Sequence, residues 1–289
     1  RGLGDVYKRQ ANGGKLTAAT DLDVEYTNPE YHYNASLYEK RVYNGWDKAE
    51  PDAELRFGPN IKDWPEMPAL TNDLLVKVCS YITDPVTTTD ELIPSGETSS
   101  YRSNPERLSE FALSRRDPQY VGRSKVMRQI ERDREAGKAL PEEVMKVYEA
   151  LTKAGVANDP ANTDIGSTIF ANMPGDGSAR EQAASCQRVM GASANFAKQY
   201  ATKRYRSNCI NWGMTPFLVE NPEVFELGDY IFVPGIREAV LENKASFSAY
   251  AVKPDGTVTE FPVSTGALTE AERQIIADGC LINYYRNNQ

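Results

Sequence analysis

Changes in the spacing of hydrophobic and polar positions predict most helices and strands in the second half of this chain. The segment STIFANMP (167–174) has the β-branched and aromatic content of a short buried strand. From Ser178 to Met190 the residues are strong helix formers. The same patterns predict three more strands, at residues 194–201, 215–220 and 229–236. They also predict a helix at residues 204–213 and a hairpin at residues 247–263.

Local signals mark the hairpin and the closing segment. Asp255 and Gly256 form a turn dipeptide between two alternating runs. Residues 268–287 are predicted to be one helix, opened by Thr269, Glu270 and Glu272. Because strands and helices alternate, the chain predicts an α/β fold with a mostly parallel inner sheet.

The first half is less regular. Residues 11–70 are rich in Tyr, Asn, Asp and Pro and indicate an extended linker. Residues 72–82, NDLLVKVCSYI, alternate as a strand does. The polar segment 83–105 that follows predicts a long loop, which is functional or disordered in most proteins. A clear helix is predicted over 140–155, with an apolar stripe at Val144, Val147, Tyr148 and Leu151.

Composition narrows the classes of function. The 289 residues carry a net charge of −8, which argues against a nucleic-acid partner but not against a local pocket for a small anion. No apolar run reaches the length of a membrane span. Four cysteines without a CxxC pair, and one histidine (His32), argue against a zinc site or a locally encoded iron–sulfur site. Unpaired cysteines predict a reducing interior, the cytoplasm or, in a eukaryote, the mitochondrion.

The stretch PGDGSAREQAA (174–184) is the strongest candidate for chemistry. A strand, a glycine-rich turn and a helix N-terminus together predict an anion site, where first-turn amides and the helix dipole act at one place. Ser178 would be the N-cap or its neighbour, with Arg180 in the first turn. The simpler alternative is that Ser178 only caps the helix and the glycines only make a turn.

Four motifs, in order, carry a resemblance that runs from about residue 50 to the end. They are TTTDELIPSGETSSYR, GDGSAREQAA, YRSNCINWGMTPFLV and GCLINYYR. Together they resemble the swivelling C-terminal domain of the aconitase family of hydro-lyases, and within it a hydratase branch rather than the citric-acid-cycle enzyme. The family's Thr-Thr-Asp motif and its arginine twelve positions later correspond to Asp90 and Arg102.

The resemblance implies a β/β/α swivel domain at residues 71–289. Residues 11–70 would be the linker and the end of a preceding core domain of the same protein. That core would carry a four-iron, four-sulfur cluster on cysteines outside this chain. Residues 1–10 resemble a translated adapter and are predicted to be a non-native tail. The chain alone is then expected to be an inactive part of an enzyme that dehydrates and rehydrates a di- or tricarboxylic hydroxy acid, as in tricarboxylic acid metabolism.

The resemblance also implies roles for single residues. Ser178 would be the base, Asp90 would orient the site, and Gly177 and Ala179 would line the substrate. Arg102 and Arg180 would bind its carboxylates, for which a permanently charged planar guanidinium is suited. From the residues alone, Arg102 could instead form a surface ion pair, and Asp90 could cap a turn.

Three positions depart from the family's pattern. Ala179 replaces a second serine, Gln182 a histidine and Glu91 another histidine. The loss of these polar groups would change which acid is bound, or would leave a non-catalytic relative with a binding or regulatory role. Some family members bind RNA, which the acidic balance here argues against. Without the family resemblance, the alternative is a small anion-binding α/β domain.

Overall fold

The computed structural model describes residues 7, 9–15, 25, 27–41 and 45–288. The chain divides into two units, residues 1–55 and 56–289. Within the described part of the first unit, a short helix, α1, spans Ser36–Glu39. Asn34 precedes it and accepts hydrogen bonds from the Ser36 backbone amide at 3.0 Å and from the Ser36 hydroxyl at 2.6 Å. Most of the predicted tail lies outside the described residues, and the domain boundaries stay predictions.

The second unit is built on a seven-stranded sheet with the order β6-β5-β3-β1-β7-β8-β9. These strands are β1 Asp73–Ile82, β3 Thr163–Ala171, β5 Ala192–Ala197, β6 Thr215–Leu218, β7 Tyr230–Val233, β8 Phe247–Val252 and β9 Val258–Val263. Strands β6, β5, β3 and β1 are parallel to one another, and β7, β8 and β9 extend the sheet as antiparallel neighbours. The predicted α/β class and the parallel inner strands are therefore confirmed.

Helices cover both faces of the sheet. They are α2 Thr89–Leu92, α3 Pro105–Ser109, α4 Tyr120–Glu135, α5 Glu142–Lys153, α6 Arg180–Met190, α7 Lys203–Asn211, α8 Ile236–Leu241, α9 Glu270–Asp278 and α10 Leu281–Asn287. In β1, Leu75 and Cys79 face one hydrophobic core, while Leu74 and Val76 face another. Every residue of β3 is buried, as expected for a parallel strand with helices on both sides. Of the helices described, none has the length and apolar character needed to cross a bilayer.

The polar segment 83–105 is more ordered than predicted. A two-residue strand, β2 (Thr87–Thr88), leads directly into α2. Thr88 and Glu91 form a reciprocal capping box, which satisfies two free amides at the start of this short helix. Strand β2 pairs in parallel with β4, Pro174–Asp176, in a separate two-stranded sheet. The prediction of a loop without regular structure was therefore wrong, because a pairing distant in sequence orders it.

The predicted closing helix is two helices. The first, α9, has the expected capping box between Thr269 and Glu272. It ends at Gly279, whose φ of 90° lies in the left-handed region. A Cβ on Gly279 would lie 2.1 Å from the carbonyl oxygen of Pro68, so the backbones meet where only glycine fits. The close contact ends α9 and lets α10 start in a new direction.

Candidate functional site

The candidate site is centred on residues 174–179, here called the cradle loop, which comprise β4 and the turn that leads into α6. Gly175 has a φ of 97° and Gly177 a φ of 129°, a region that side chains other than glycine rarely adopt. A Cβ on Gly175 would lie 2.3 Å from the Tyr205 ring, and a Cβ on Gly177 would lie 2.2 Å from the Thr89 hydroxyl. The two glycines therefore let the loop backbone fit between α7 and α2.

Ser178 is exposed in the cradle loop, one residue before the N-cap of α6. The N-cap is Ala179, and no side chain caps this helix. Among the described residues, nothing is hydrogen-bonded to the Ser178 hydroxyl. The simpler interpretation, a serine that only caps the helix, is therefore not what the structure has. The first-turn amides of α6 remain without a capping side chain, as an anion site requires.

Arg180 begins α6 and is partly buried. Its Nε atom is buried and has no hydrogen-bond acceptor in the part of the chain that the structure describes. The next residue, Glu181, is bound differently, since its Oε1 accepts a hydrogen bond from Trp212 Nε1 at 3.1 Å. Trp212 in turn packs against Trp64 with ring centroids 4.3 Å apart. This aromatic pair fixes Glu181 and leaves the Arg180 guanidinium without an ion-pair partner among the described residues.

Asp90 lies in α2, beside the residue that contacts Gly177. Its carboxylate is exposed and forms an ion pair with Arg115, which also pairs with Glu97. Thr88, rather than Asp90, provides the cap of α2. The alternative role of Asp90 as a turn cap is therefore excluded, and its carboxylate is held at the surface by Arg115.

Glu91 stands where the resemblance leads one to expect a histidine, and its carboxylate is already in use. Its Oε2 accepts hydrogen bonds from the Thr88 amide at 2.7 Å and from the Thr88 hydroxyl at 2.8 Å. A carboxylate that already accepts these hydrogen bonds in the capping box has little capacity left to bind a ligand. The departure at residue 91 thus stabilises α2 locally.

Arg102 follows the 3₁₀ turn Ser99–Tyr101 and is exposed. Within the described residues its guanidinium has no ion pair, so the surface ion pair considered as an alternative does not form. The segment continues into α3, which packs against α6. No hydrogen bond joins Arg102 to Ser178, Arg180 or Asp90 in the described structure. The structure thus brings Thr89, the residue before Asp90, against Gly177, whereas no hydrogen bond or ion pair joins Arg102 to the cradle loop within the described residues.

Three contributors were missed at the sequence level. Arg115 holds Asp90, Thr89 contacts Gly177, and Tyr205 packs against Gly175. Thr89 and Tyr205 belong to two of the quoted motifs, but their distance in sequence hid their contacts with the cradle loop, and Arg115 lies outside every motif. The one local signal in the sequence is the spacing of Thr88 and Glu91, which flank Thr89 and have the separation of a capping box.

The described residues do not fit an iron–sulfur cluster. They contain no group of three or more His, Cys, Asp or Glu side chains that could hold a metal. The four cysteines are buried, unpaired and carried by separate elements. Burial raises the pKa of the Cys79, Cys186 and Cys209 thiols to about 12, which keeps them protonated at neutral pH.

Comparisons with known proteins add an independent observation. No protein-family profile matches the chain. The small subunit of a methanogen homoaconitase from Methanocaldococcus jannaschii is 29% identical over 133 residues, which cover 46% of this chain and 69% of that protein. A crystal structure of a 3-isopropylmalate dehydratase from the same organism superposes with a TM-score of 0.45 at 20% identity. That superposition covers 74% of this chain and 95% of the other.

Proposed function

Since this chain is a relative of the swivelling small-subunit domains of the aconitase family, we propose that it supplies part of a hydro-lyase active site. The substrate would be a di- or tricarboxylic hydroxy acid of the kind handled by homoaconitase. The observation that carries the proposal is the uncapped start of α6, with the exposed Ser178 hydroxyl immediately before it.

Ser178 is proposed to be the base. Dehydration of a hydroxy acid requires removal of a weakly acidic proton from the carbon next to a carboxylate. A serine alkoxide is unfavourable in water, so its charge has to be stabilised. The free amides at the start of α6 and the positive end of its dipole are suited to this. The positive φ of Gly177 supports the proposal, because it turns the chain sharply just before Ser178.

Arg180 and Arg102 are proposed to bind carboxylates of the substrate. Neither guanidinium has an ion-pair partner among the described residues, so both can accept an external anion. Arg180 lies two residues after Ser178 and is partly buried, which strengthens a charged hydrogen bond. Asp90, held by Arg115, is proposed to orient the site rather than to transfer a proton.

The rest of the active site is proposed to come from core domains of the same protein or from a separate large subunit. The family's cluster would lie there, and no described residue of this chain is assigned to metal. The departures at Ala179, Gln182 and Glu91 favour a second candidate, a non-catalytic relative. Glu91 supports it most directly, because its carboxylate serves the cap of α2.

The test is to compare Ser178→Ala with the parent in the complete enzyme, assembled anaerobically with its core domains or large subunit. Homoaconitate, isopropylmalate, citrate, isocitrate and 2-methylcitrate are assayed. We expect S178A to lower kcat by about 10³-fold or more with little change in KM, because the lost group acts in the transition state. Arg102→Gln is expected to raise KM by about 10- to 100-fold.

Ser99→Ala is the matched control, since Ser99 is also exposed and caps no helix but lies outside the cradle loop. Its rate is expected to equal that of the parent. Equal rates for S178A and the parent would remove Ser178 from the mechanism. A complete and correctly assembled enzyme that turns over none of the five acids would support the non-catalytic alternative.

A further inference from the structure

A charged cavity lies at the opposite end of α6 from the cradle loop. It has a volume of about 80 Å³ and lies between α4, the C-terminal end of α6 and residues 65–68. Helix α6 has eleven residues, so its ends are roughly 16 Å apart. The cavity is therefore separate from the candidate hydro-lyase site.

Arg188 lines this cavity and is a buried cation that forms no ion pair within the described part of the chain. Its side chain belongs to a residue that is only 8% exposed. One terminal nitrogen donates to the Ala192 carbonyl at 3.2 Å and to the Ser193 hydroxyl at 3.4 Å, and the other to the Pro68 carbonyl at 3.4 Å. All three acceptors are uncharged, and at 3.2 to 3.4 Å these hydrogen bonds are long. The Nε atom has no acceptor, and no described carboxylate lies within 4.0 Å of the guanidinium.

Two of the four acidic residues that line the cavity, Glu131 and Asp164, interact with other groups. Glu131 accepts two hydrogen bonds from Arg134, at 2.8 and 2.6 Å, and a third from the Ile165 amide at 3.0 Å. Asp164 is buried next to Glu131. Burial first, and then the Glu131 carboxylate, raises the pKa of Asp164 well above its ordinary value, while the charge of Arg188 acts against that rise.

The rim of the cavity carries charges of both signs. Arg128 is paired with Glu106 at 3.0 Å and donates to the Val189 carbonyl at 2.7 Å. Arg132 is half exposed and lies 4.0 Å from Glu106, so much of its charge is free. Glu66 and Glu135 also line the cavity; burial first, and then Glu131, raises the pKa of Glu135, and the charges of Arg134, Arg132 and Arg188 act against that rise. A charge as deeply buried as that of Arg188 is normally neutralised by a partner.

From this geometry we propose that the cavity binds a small oxyanion, a carboxylate or a phosphate, on Arg188, with Arg132 at its mouth. The bound anion neutralises the guanidinium and replaces its long contacts with charged hydrogen bonds. The volume limits the ligand to an anion of a few non-hydrogen atoms or to one acidic group of a larger molecule.

The experiment is thermal unfolding of the full chain in sodium phosphate, sodium malonate or sodium chloride at equal ionic strength. An anion that binds only the folded protein raises Tm with its concentration. We expect phosphate or malonate to raise Tm more than chloride does. A larger effect of phosphate identifies the bound group as a phosphate, and a larger effect of malonate identifies it as a carboxylate. Arg188→Gln should weaken the apparent affinity about tenfold or more, and Arg132→Gln several-fold.

Arg102→Gln is the matched control, because Arg102 belongs to the candidate hydro-lyase site. The Tm increase should persist in R102Q. A shift that disappears in R102Q but remains in R188Q places the anion at the hydro-lyase site and overturns the proposal. Absence of any shift in the parent overturns it as well. If R188Q does not fold, two other measurements test the proposal. R132Q should lower the apparent affinity for the anion, and crystals of the parent soaked in selenate should show an anomalous signal beside Arg188.

Discussion

Gly177 and Thr89 are in such close contact that a single added carbon would not fit between them. A Cβ on Gly177 would lie 2.2 Å from the Thr89 hydroxyl and 3.3 Å from its Cβ. The contact joins the cradle loop to α2, and it places Ser178 and Asp90 one residue away on either side. The relative position of these two candidate residues therefore depends on a glycine.

Gly177→Ala is predicted to destabilise the fold and to displace the cradle loop. The new methyl group meets Thr89, and a φ of 129° is strained for alanine. We expect a loss of about 2–4 kcal/mol in the free energy of unfolding, measured by urea denaturation.

Gly228→Ala separates the two causes. Gly228 has a φ of 96°, and its added Cβ would have nothing within 4 Å. Gly228→Ala should lower the free energy of unfolding only through backbone strain, by about 1 kcal/mol. If both variants lose the same amount, the contact with Thr89 does not restrict the loop.

Tyr205→Phe is predicted to destabilise the protein through lost hydrogen bonds. The buried Tyr205 hydroxyl accepts from Gln187 Nε2 and from Asn195 Nδ2, each at 2.9 Å. Phenylalanine leaves these amides with one partner fewer, at a cost of about 1–3 kcal/mol in urea denaturation. Tyr285→Phe is the control, since Tyr285 is 60% exposed and should stay within about 0.5 kcal/mol of the parent. Equal stability of Y205F and the parent would contradict the role of this hydroxyl.

Elements with a strong local pattern were predictable from the sequence. Helix α5 and the β8–β9 hairpin lie where periodicity and turn residues put them, and the strand predicted at 167–174 is present as β3, shifted towards the N-terminus to Thr163–Ala171. In the hairpin, the Asp255 side chain accepts a hydrogen bond from the Thr257 amide at 2.8 Å, which explains the turn. In α5, the buried residues are the predicted stripe together with Ala150.

Elements that depend on distant contacts were not predictable. Strand β2 has two residues and exists because β4 pairs with it, some 87 positions further along the chain. The end of α9 at Gly279 reflects the approach of Pro68. In the candidate site, the motif identified Ser178 and Arg180, but no local signal linked Arg115 to Asp90. The hydrophobic periodicity of an element predicts which of its faces is buried, but not which residues of other elements that face contacts.

Asp164→Asn is predicted to change how stability depends on pH. In the folded protein the pKa of Asp164 is raised above its ordinary value of 3.8 by burial and by Glu131. A raised pKa means that the folded state holds the proton more tightly than the unfolded state. The stability contributed by that proton is complete below pH 3.8 and is lost as pH rises through the folded-state pKa.

Asparagine carries no titrating proton and can still donate a hydrogen bond to Glu131. The stability of the parent relative to D164N should therefore fall as pH rises above 3.8, by up to about 1.4 kcal/mol per unit, until Asp164 is ionised. Urea unfolding at pH 4 to 9 measures this difference. Parallel pH profiles for the two proteins would show that Asp164 titrates alike in the folded and unfolded states.

The thiols of Cys79, Cys186 and Cys209 are predicted to be inert in the folded protein. Each is at most 1% exposed, and burial raises each pKa to about 12, so at pH 8 almost no thiolate is present and no reagent can reach it. With a thiol-reactive dye at pH 8, labelling should proceed only as fast as the protein opens, and urea should make it complete within the mixing time. Ser99→Cys supplies an exposed reference thiol that should react at once. Rapid labelling of the parent at any of these three positions would mean that the hydrophobic core that contains all three opens far more readily than its packing implies.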